Sequence, residues 1–471
     1  MNKLKFLMLW CCVLSALNCK GQEDETQQDS TAIDTTEVEV LPENKLQNAQ
    51  VLQPFFDKIV QLQKQKKGKI NIVHIGDSHI QADLMSNVIR KRLQETFGNG
   101  GRGFIFPHNL ANTNGSSNER FKSNRNWQSY RNIYPDKGNP VGLSGIALWT
   151  TAKDFAVELN IKDSSYEFNT IKVFTPQNKK QFDFALSEKT IVLESKVPKK
   201  ITHKIKRGEA ISIIADKYNV SVAELKRANN LRSNNIQAGK TLKIPTSEMQ
   251  PKSVTRSEFI PLEINNDNIS HFYVSEKSLD KIYLIPDAES TDFELNGLFL
   301  ENNNPGIIYS SIGVNGAKFS DYNKYPLFFE QLAGLQPDLV ILSLGTNESF
   351  DKMAASDYMV QLDIFLKMIR EKNNVPVLIS TPPNSLFKRK FPNTFAADYA
   401  ESILVKAEEK KYAVFDLYSQ LGGLYGVQRN VARGLMANDK VHYSKAGYEK
   451  QGKILAEAIL KEFSIYLNSI K

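Results

Sequence analysis

Ile70-Asn71-Ile72-Val73-His74-Ile75 runs straight into Gly76-Asp77-Ser78-His79. A short apolar run closed by a glycine turn reads as a buried strand, and apolar spacing resumes over 81–96 as a helix. The same alternation returns far downstream. Strands are expected at 338–343, 375–380 and 413–416, and helices at 357–371, 395–410 and 445–464. A further helix is expected upstream, over 46–64. Strands separated by helices of ten to fifteen residues imply an α/β fold with a parallel sheet and helices on both faces.

Between about 140 and 300 the texture changes. Short alternating runs appear at 155–161, 171–174, 182–184, 259–264, 271–274 and 282–285, with turn residues between them. The run 293–300 is expected as the last strand of the series. This pattern predicts an antiparallel β-sandwich, jelly-roll-like, set into the α/β fold at 136–299. The α/β parts are then 45–135 and 300–471.

The sandwich is itself interrupted. From His203 to Leu231 and on through Ile236 to Pro245, the local pattern is strand, helix, helix, strand. Ile211, Ile214, Ala215 and Tyr218 share one helical face; Val222, Leu225 and Ala228 share a second. Gly208 turns the chain out of the first strand and Gly239 precedes the last. This stretch, placed at 202–246, resembles a LysM module over its whole length. The resemblance implies binding of an N-acetylglucosamine-containing glycan, such as peptidoglycan or chitin. The sugar groove then falls at Gly208, Glu209, Ala210, Leu231 and Arg232.

Four separated blocks carry chemistry. Gly76-Asp77-Ser78-His79 puts a serine where a buried strand meets a helix, and ligands of open α/β sheets bind beyond the carboxyl ends of the strands. A serine there also serves as a plain helix cap. Ile312-Gly313-Val314-Asn315-Gly316-Ala317 follows another strand, and a glycine lets backbone N–H approach a substrate oxygen. Leu344-Gly345-Thr346-Asn347-Glu348 offers an amide able to donate to an oxyanion. Asp439-Lys440-Val441-His442 places a carboxylate and an imidazole in one loop, as a base with its orienting group or as half a metal site.

In that order, these blocks resemble the SGNH (GDSL) hydrolase family, over about 45–125 and 300–471. The resemblance implies a flavodoxin-like three-layer fold. It makes Ser78 the nucleophile, His442 the base and Asp439 the residue that orients the imidazole. It makes the backbone N–H of Ser78, the backbone N–H of Gly316 and the amide of Asn347 the oxyanion hole, with Gly316 preferred over Gly313. No metal or cofactor is implied. His74, His108, His203 and His271 show no ligand spacing and read as structural; His79, beside Ser78, reads as a first-turn helix residue, the alternative being a substrate contact.

The chain has 471 residues, 41% hydrophobic and 24% charged, with a net charge of +8. That apolar fraction excludes wholesale disorder. Its three cysteines, Cys11, Cys12 and Cys19, all precede residue 20. The remainder therefore has no disulfide, no thiolate metal site and no cysteine nucleophile. Residues 1–19 combine a basic start with a twelve-residue apolar run and read as a secretory signal, too short to span a bilayer. The sequence Ala16-Leu17-Asn18-Cys19 resembles a bacterial lipoprotein signal with Cys19 as the lipidated residue; the alternative is simple cleavage. The acidic stretch 20–44 is expected as a flexible linker. Basic runs at 64–69 and 199–207 read as solvated surface, and no nucleic-acid motif is present.

A sandwich inserted after the first βα region, with these blocks, is similar to bacterial peptidoglycan O-acetylesterases; the Gly-rich loop 97–107 fits that group too, its other reading being a flexible turn. The implied protein is exported to the periplasm or cell envelope, free or membrane-anchored. It removes O-acetyl groups from N-acetylmuramic acid while the LysM module holds the glycan. Two other readings stay open: an esterase of the same fold acting on another acylated polysaccharide or lipid, and an idle peptidoglycan-binding protein.

Overall fold

The computed structural model describes residues 42–471. The signal segment, Cys19 and most of the 20–44 linker lie outside the described residues. Residues 42–44 belong to the folded body rather than to a linker. The Asn44 amide donates to the Ile454 carbonyl (2.9 Å), and Gln420 donates to the Pro42 carbonyl (3.0 Å).

The central sheet has seven strands in the spatial order Leu46–Gln47, Ala413–Phe415, Val377–Ser380, Leu339–Ser343, Lys69–Gly76, Gly306–Gly313 and Asn99–Gly101. All pairings are parallel except the first, where Leu46 faces Phe415 antiparallel. Strand periodicity explains the layers. Ile70, Ile72, Ile307, Tyr309, Leu339 and Ile341 point to one face, with helices Gln53–Gln65, Leu84–Phe97 and Lys445–Ser469. Val73, Ile75, Ile308, Val340 and Leu342 point to the other face, with helices Pro326–Ala333, Ala355–Lys372 and Thr394–Lys410. The fold is thus the expected three-layer α/β arrangement.

Several local expectations need correction. Residues 46–64 are not one helix: a two-residue edge strand and a 3₁₀ turn, Ala49–Leu52, come first. Leu46 faces the core from that strand, so its apolar spacing belongs to the sheet. The helix expected over 81–96 is two, Ser78–Gln81 and Leu84–Phe97, broken where Asp83 takes φ 57°.

The antiparallel part comprises two five-stranded sheets and one of three strands. It recruits Gly103–Ile105, Glu119–Ser123 and Gln128–Arg131, all before 136. These short strands, rich in polar residues and glycine, carry little strand signal of their own. The Gly-rich stretch 97–107 is correspondingly a seam rather than a flexible turn. Gly101, at φ 139°, lies where a side chain would sit 2.5 Å from the Cα of Glu301, so two strands can meet there. The run 293–300 is two strands, Phe293–Leu295 and Gly297–Glu301, which pair in different sheets on either side of Asn296. Of 259–264 only Ile260–Pro261 pairs, at a sheet edge, where proline costs no ladder bond. Trp127, Phe155, Phe182 and Phe293 interlock across the sheets at centroid distances of 5.0–6.5 Å. One continuous apolar cluster runs from this antiparallel part into the face of the central sheet.

A two-stranded neck, Lys196–Pro198 against Met249–Pro251, leads to the inserted module. That module is βααβ: Ile201–Lys204, Ile211–Lys217, Val222–Ala228 and Thr241–Ile244, with the outer strands antiparallel. Its core is Ile205, Ile211, Ile214, Ala215, Leu225, Leu242 and Ile244.

Candidate active site

The four sequence blocks converge at the carboxyl edge of the central sheet. Ser78 opens a short helix at the end of Lys69–Gly76. Asp77 caps that helix, its carboxylate accepting from the His79 N–H (2.9 Å). The half-buried Ser78 hydroxyl lies 2.9 Å from His442 Nε2. His442 Nδ1 lies 2.7 Å from Asp439 Oδ2.

The loop that brings Asp439 and His442 together is a closed turn. Lys440 N–H donates to the Ala437 carbonyl (3.1 Å), and Ala437 N–H donates to the His442 carbonyl (2.9 Å). Inside it, Asp439 Oδ1 accepts from the N–H groups of Val441 and His442, both at 2.9 Å. Burial raises the Asp439 carboxyl, but the hydrogen bond from the His442 ring and the two backbone amides outweigh it and hold it down at about 2. Asp439 is therefore ionised when it meets the imidazole, and its anion fixes the tautomer whose Nε2 faces Ser78. The His442 and Asp439 side chains stay 41% and 43% exposed, so the site is open.

The three groups expected to form an oxyanion hole are arranged unequally. Gly316, at φ 86°, has open space where a side chain would project, the nearest atom being Ile133 Cδ1 at 3.8 Å. The N–H of Asn315 donates to Gln81 Oε1 (2.6 Å) and that of Ala317 to the Val314 carbonyl (3.0 Å). The N–H groups of Ser78 and Gly316 donate to no protein acceptor among the described residues. Gly313 instead packs against the backbone of Asp77 and Gln81 at the base of the serine helix. The Asn347 amide donates to the Ala317 carbonyl at 3.0 Å and, more weakly, to Asp77 Oδ2 at 3.3 Å. An oxyanion would compete for the longer of these two bonds.

Sequence reasoning missed Gln81, just beyond the first block, and the part played by His79, Glu348 and Asp77 within the blocks. Gln81 is buried and donates to Thr113 Oγ1 (2.9 Å) and to the Asn114 carbonyl (2.7 Å), while its Oε1 holds Asn315. It thereby ties the serine helix to the glycine turn. His79 lies face-tilted on His442, ring centroids 5.3 Å apart, and its Nδ1 meets Tyr448 Oη at 3.0 Å. Burial, and then the neighbouring His442, push its pKa down to about 3, so it backs the base without repelling it. Buried Glu348 accepts from the Phe319 N–H (2.8 Å), and burial raises its pKa to about 8. Asp77 is likewise pushed up by burial, to about 7. The only sequence clue to Gln81 is its place three residues after Ser78.

His74, beneath the site, is satisfied by Tyr309 Oη and Ser343 Oγ, both at 2.7 Å. No group of residues able to hold a metal occurs among the described residues. In the βααβ module, Gly208, Ala210 and Arg232 are exposed, and Leu231 packs on the module's core. The Glu209 carboxylate is engaged internally, by His203 Nε2 (2.8 Å) and the Lys206 N–H (2.7 Å).

Residues 295–450 match the GDSL-like Lipase/Acylhydrolase family, and residues 203–245 match the LysM domain. The first match begins after Ser78, which only the fold brings to His442. No curated protein matches the sequence. Among solved structures, a peptidoglycan O-acetylesterase is similar over 90% of this chain and 99% of its own, at 20% identity and a TM-score of 0.58. A lipase/acylhydrolase from Enterococcus faecalis matches 33% of this chain and 76% of its own, at 20% identity and a TM-score of 0.26. The chain thus carries a GDSL-like lipase/acylhydrolase region at 295–450 and a LysM domain at 203–245, and shares its fold with a peptidoglycan O-acetylesterase.

Proposed function

We propose that this chain is a serine esterase that removes O-acetyl groups from peptidoglycan, at N-acetylmuramic acid, with its LysM domain holding the glycan strand. The observation that carries this reading is the coincidence of a Ser78–His442–Asp439 chain of hydrogen bonds with a fold shared, sandwich included, with a peptidoglycan O-acetylesterase. In this scheme Ser78 Oγ attacks the ester carbonyl and passes its proton to His442 Nε2. The tetrahedral anion takes the N–H groups of Ser78 and Gly316 and the Asn347 amide. The sugar hydroxyl leaves with the proton from His442, and water then repeats the cycle on the acetyl-enzyme. The open triad suits a polymer, whose acetyl group must reach Ser78 while the chain runs past. We also propose export, with Cys19 as a lipid anchor; a Cys19→Ala chain that still incorporates labelled fatty acid would sink that part.

The test is acetate release from O-acetylated peptidoglycan by protein lacking residues 1–19, beside a Ser78→Ala control and acetylated xylan. Release from the wall polymer, absent in the control and weak on xylan, is expected. Turnover of small acetyl esters alone would move the substrate to another acylated compound. Silence on every ester, with retained peptidoglycan binding, would leave binding as the function.

A further inference from the structure

The strand next to that of Asn347, Val377–Ser380, ends at the same sheet edge and leads into a hairpin, Leu386–Phe387 paired with Phe391–Pro392. This hairpin is clasped by the catalytic machinery on two sides. Leu386 N–H donates to the carbonyl of Lys440, inside the Asp439–His442 turn (2.9 Å). At the same stem end of the hairpin, Asn393 donates to Ser349 Oγ (2.7 Å) on the helix that starts Thr346-Asn347. Phe387 packs on Phe350 of that helix at 4.9 Å.

What the hairpin displays is charge. Its tip is Lys388-Arg389-Lys390, all exposed, followed by Phe391 at 61% exposure. None of the three cationic side chains forms an ion pair or hydrogen bond among the described residues, and neither does that of Lys440. Lys388 and Arg389, in the three-residue connection 388–390, sit at φ 48° and 62°, the left-handed region that favours Gly and Asn. Long cations in a left-handed turn, left unpaired on a hairpin whose stem is bonded to the Asp439–His442 loop, point to an anionic partner.

We propose that this tip is a substrate-binding rim that takes carboxylates on the acylated polymer. Resting on the reading above, those carboxylates belong to the peptide side chains of peptidoglycan. The rim would hold the strand so that an acetyl group falls at Ser78, which makes it a specificity element and not part of the chemistry.

The test uses the full chain with Ser78→Ala, and soluble peptidoglycan fragments with and without their peptides, at low and high salt. Replacing the tip by Lys388→Ala, Arg389→Ala and Lys390→Ala together should weaken binding of the peptide-bearing fragments about fivefold at low salt. High salt and removal of the peptides should each erase the difference. Arg389→Lys, which keeps the charge, should bind as the parent does. An equal loss on both fragments, or none on either, overturns the proposal. So does a loss that follows added wall phosphate rather than peptide. Acetate release by the chain with Ser78 intact judges the esterase reading separately. If it is absent while the peptide-dependent binding difference persists, only that reading falls.

Discussion

At the scale of single residues, the site rests on two contacts of 2.9 and 2.7 Å joining Ser78, His442 and Asp439. Ser78→Ala should lower kcat on a small acetyl ester by about 10⁶, and Asp439→Asn by about 10⁴ because the imidazole loses its fixed tautomer. Asn347→Ala removes one of three oxyanion donors and should cost about 10²–10³, measured on protein whose melt is intact. Parental activity in that variant would mean the amide serves only Asp77 and Ala317. Glu348 gives a pH prediction. Burial raises its pKa from the ordinary 4.5 to about 8. Across that window the native state keeps a proton that the unfolded chain has lost, so stability falls as pH rises. Glu348→Gln imitates the protonated form and retains an acceptor for Phe319. Its melting temperature should therefore gain on that of the parent from pH 5 to pH 8. Asp77, raised to about 7, adds a slope of the same sign to both proteins. Parallel melting curves across this range would refute the assignment.

At the scale of elements, two polar knots hold the site's frame. In the first, Asp83 at the break between the two helices accepts from Arg90 (2.7 Å) and Arg102 (2.9 Å), and Arg102 also meets Glu119 (3.1 Å). Both arginines are fully buried and link a central-sheet helix to the first antiparallel strands. Asp83→Ala strands the buried Arg90 and leaves Arg102 with Glu119 alone, and should cost about 3–5 kcal/mol in denaturant unfolding; a loss below about 1 kcal/mol would show that the cations find other partners. The second knot is Gln81. Gln81→Ala frees the glycine turn from the serine helix and should lower kcat between about tenfold and a hundredfold with KM little changed. An unchanged kcat would mean the turn holds its shape unaided. Sequence reading failed at the helix break because nothing local announces Asp83 in a left-handed conformation. Its conformation is set by Arg90 and Arg102, seven and nineteen residues away.

At the scale of the whole molecule, the LysM domain hangs from the sandwich by a neck whose strands lie side by side, and Ile201 pairs with Ile244. Its ends therefore meet, and a short linker can replace 201–245. Excision should lower kcat/KM on insoluble wall polymer by at least about tenfold through lost effective concentration. Turnover of a soluble acetyl ester should stay within about twofold. Equal rates on the wall polymer would show that the domain does not deliver substrate.

The α/β alternation, the βααβ module and the four blocks that meet at the candidate site were legible in the sequence. Strand and helix periods are local, and residues such as Gly76-Asp77-Ser78 and Asp439-Lys440-Val441-His442 are short, contiguous signals. Where the antiparallel sheets begin was not legible, because Gly103–Ile105 and Glu119–Ser123 become strands through partners at 297–301 and 157–161. Nor were His79 against His442, the clasp of Gln81, or the basic hairpin bonded to the Asp439–His442 loop. Each depends on groups far apart in the chain meeting in a shared buried or charged environment, and only packing decides that.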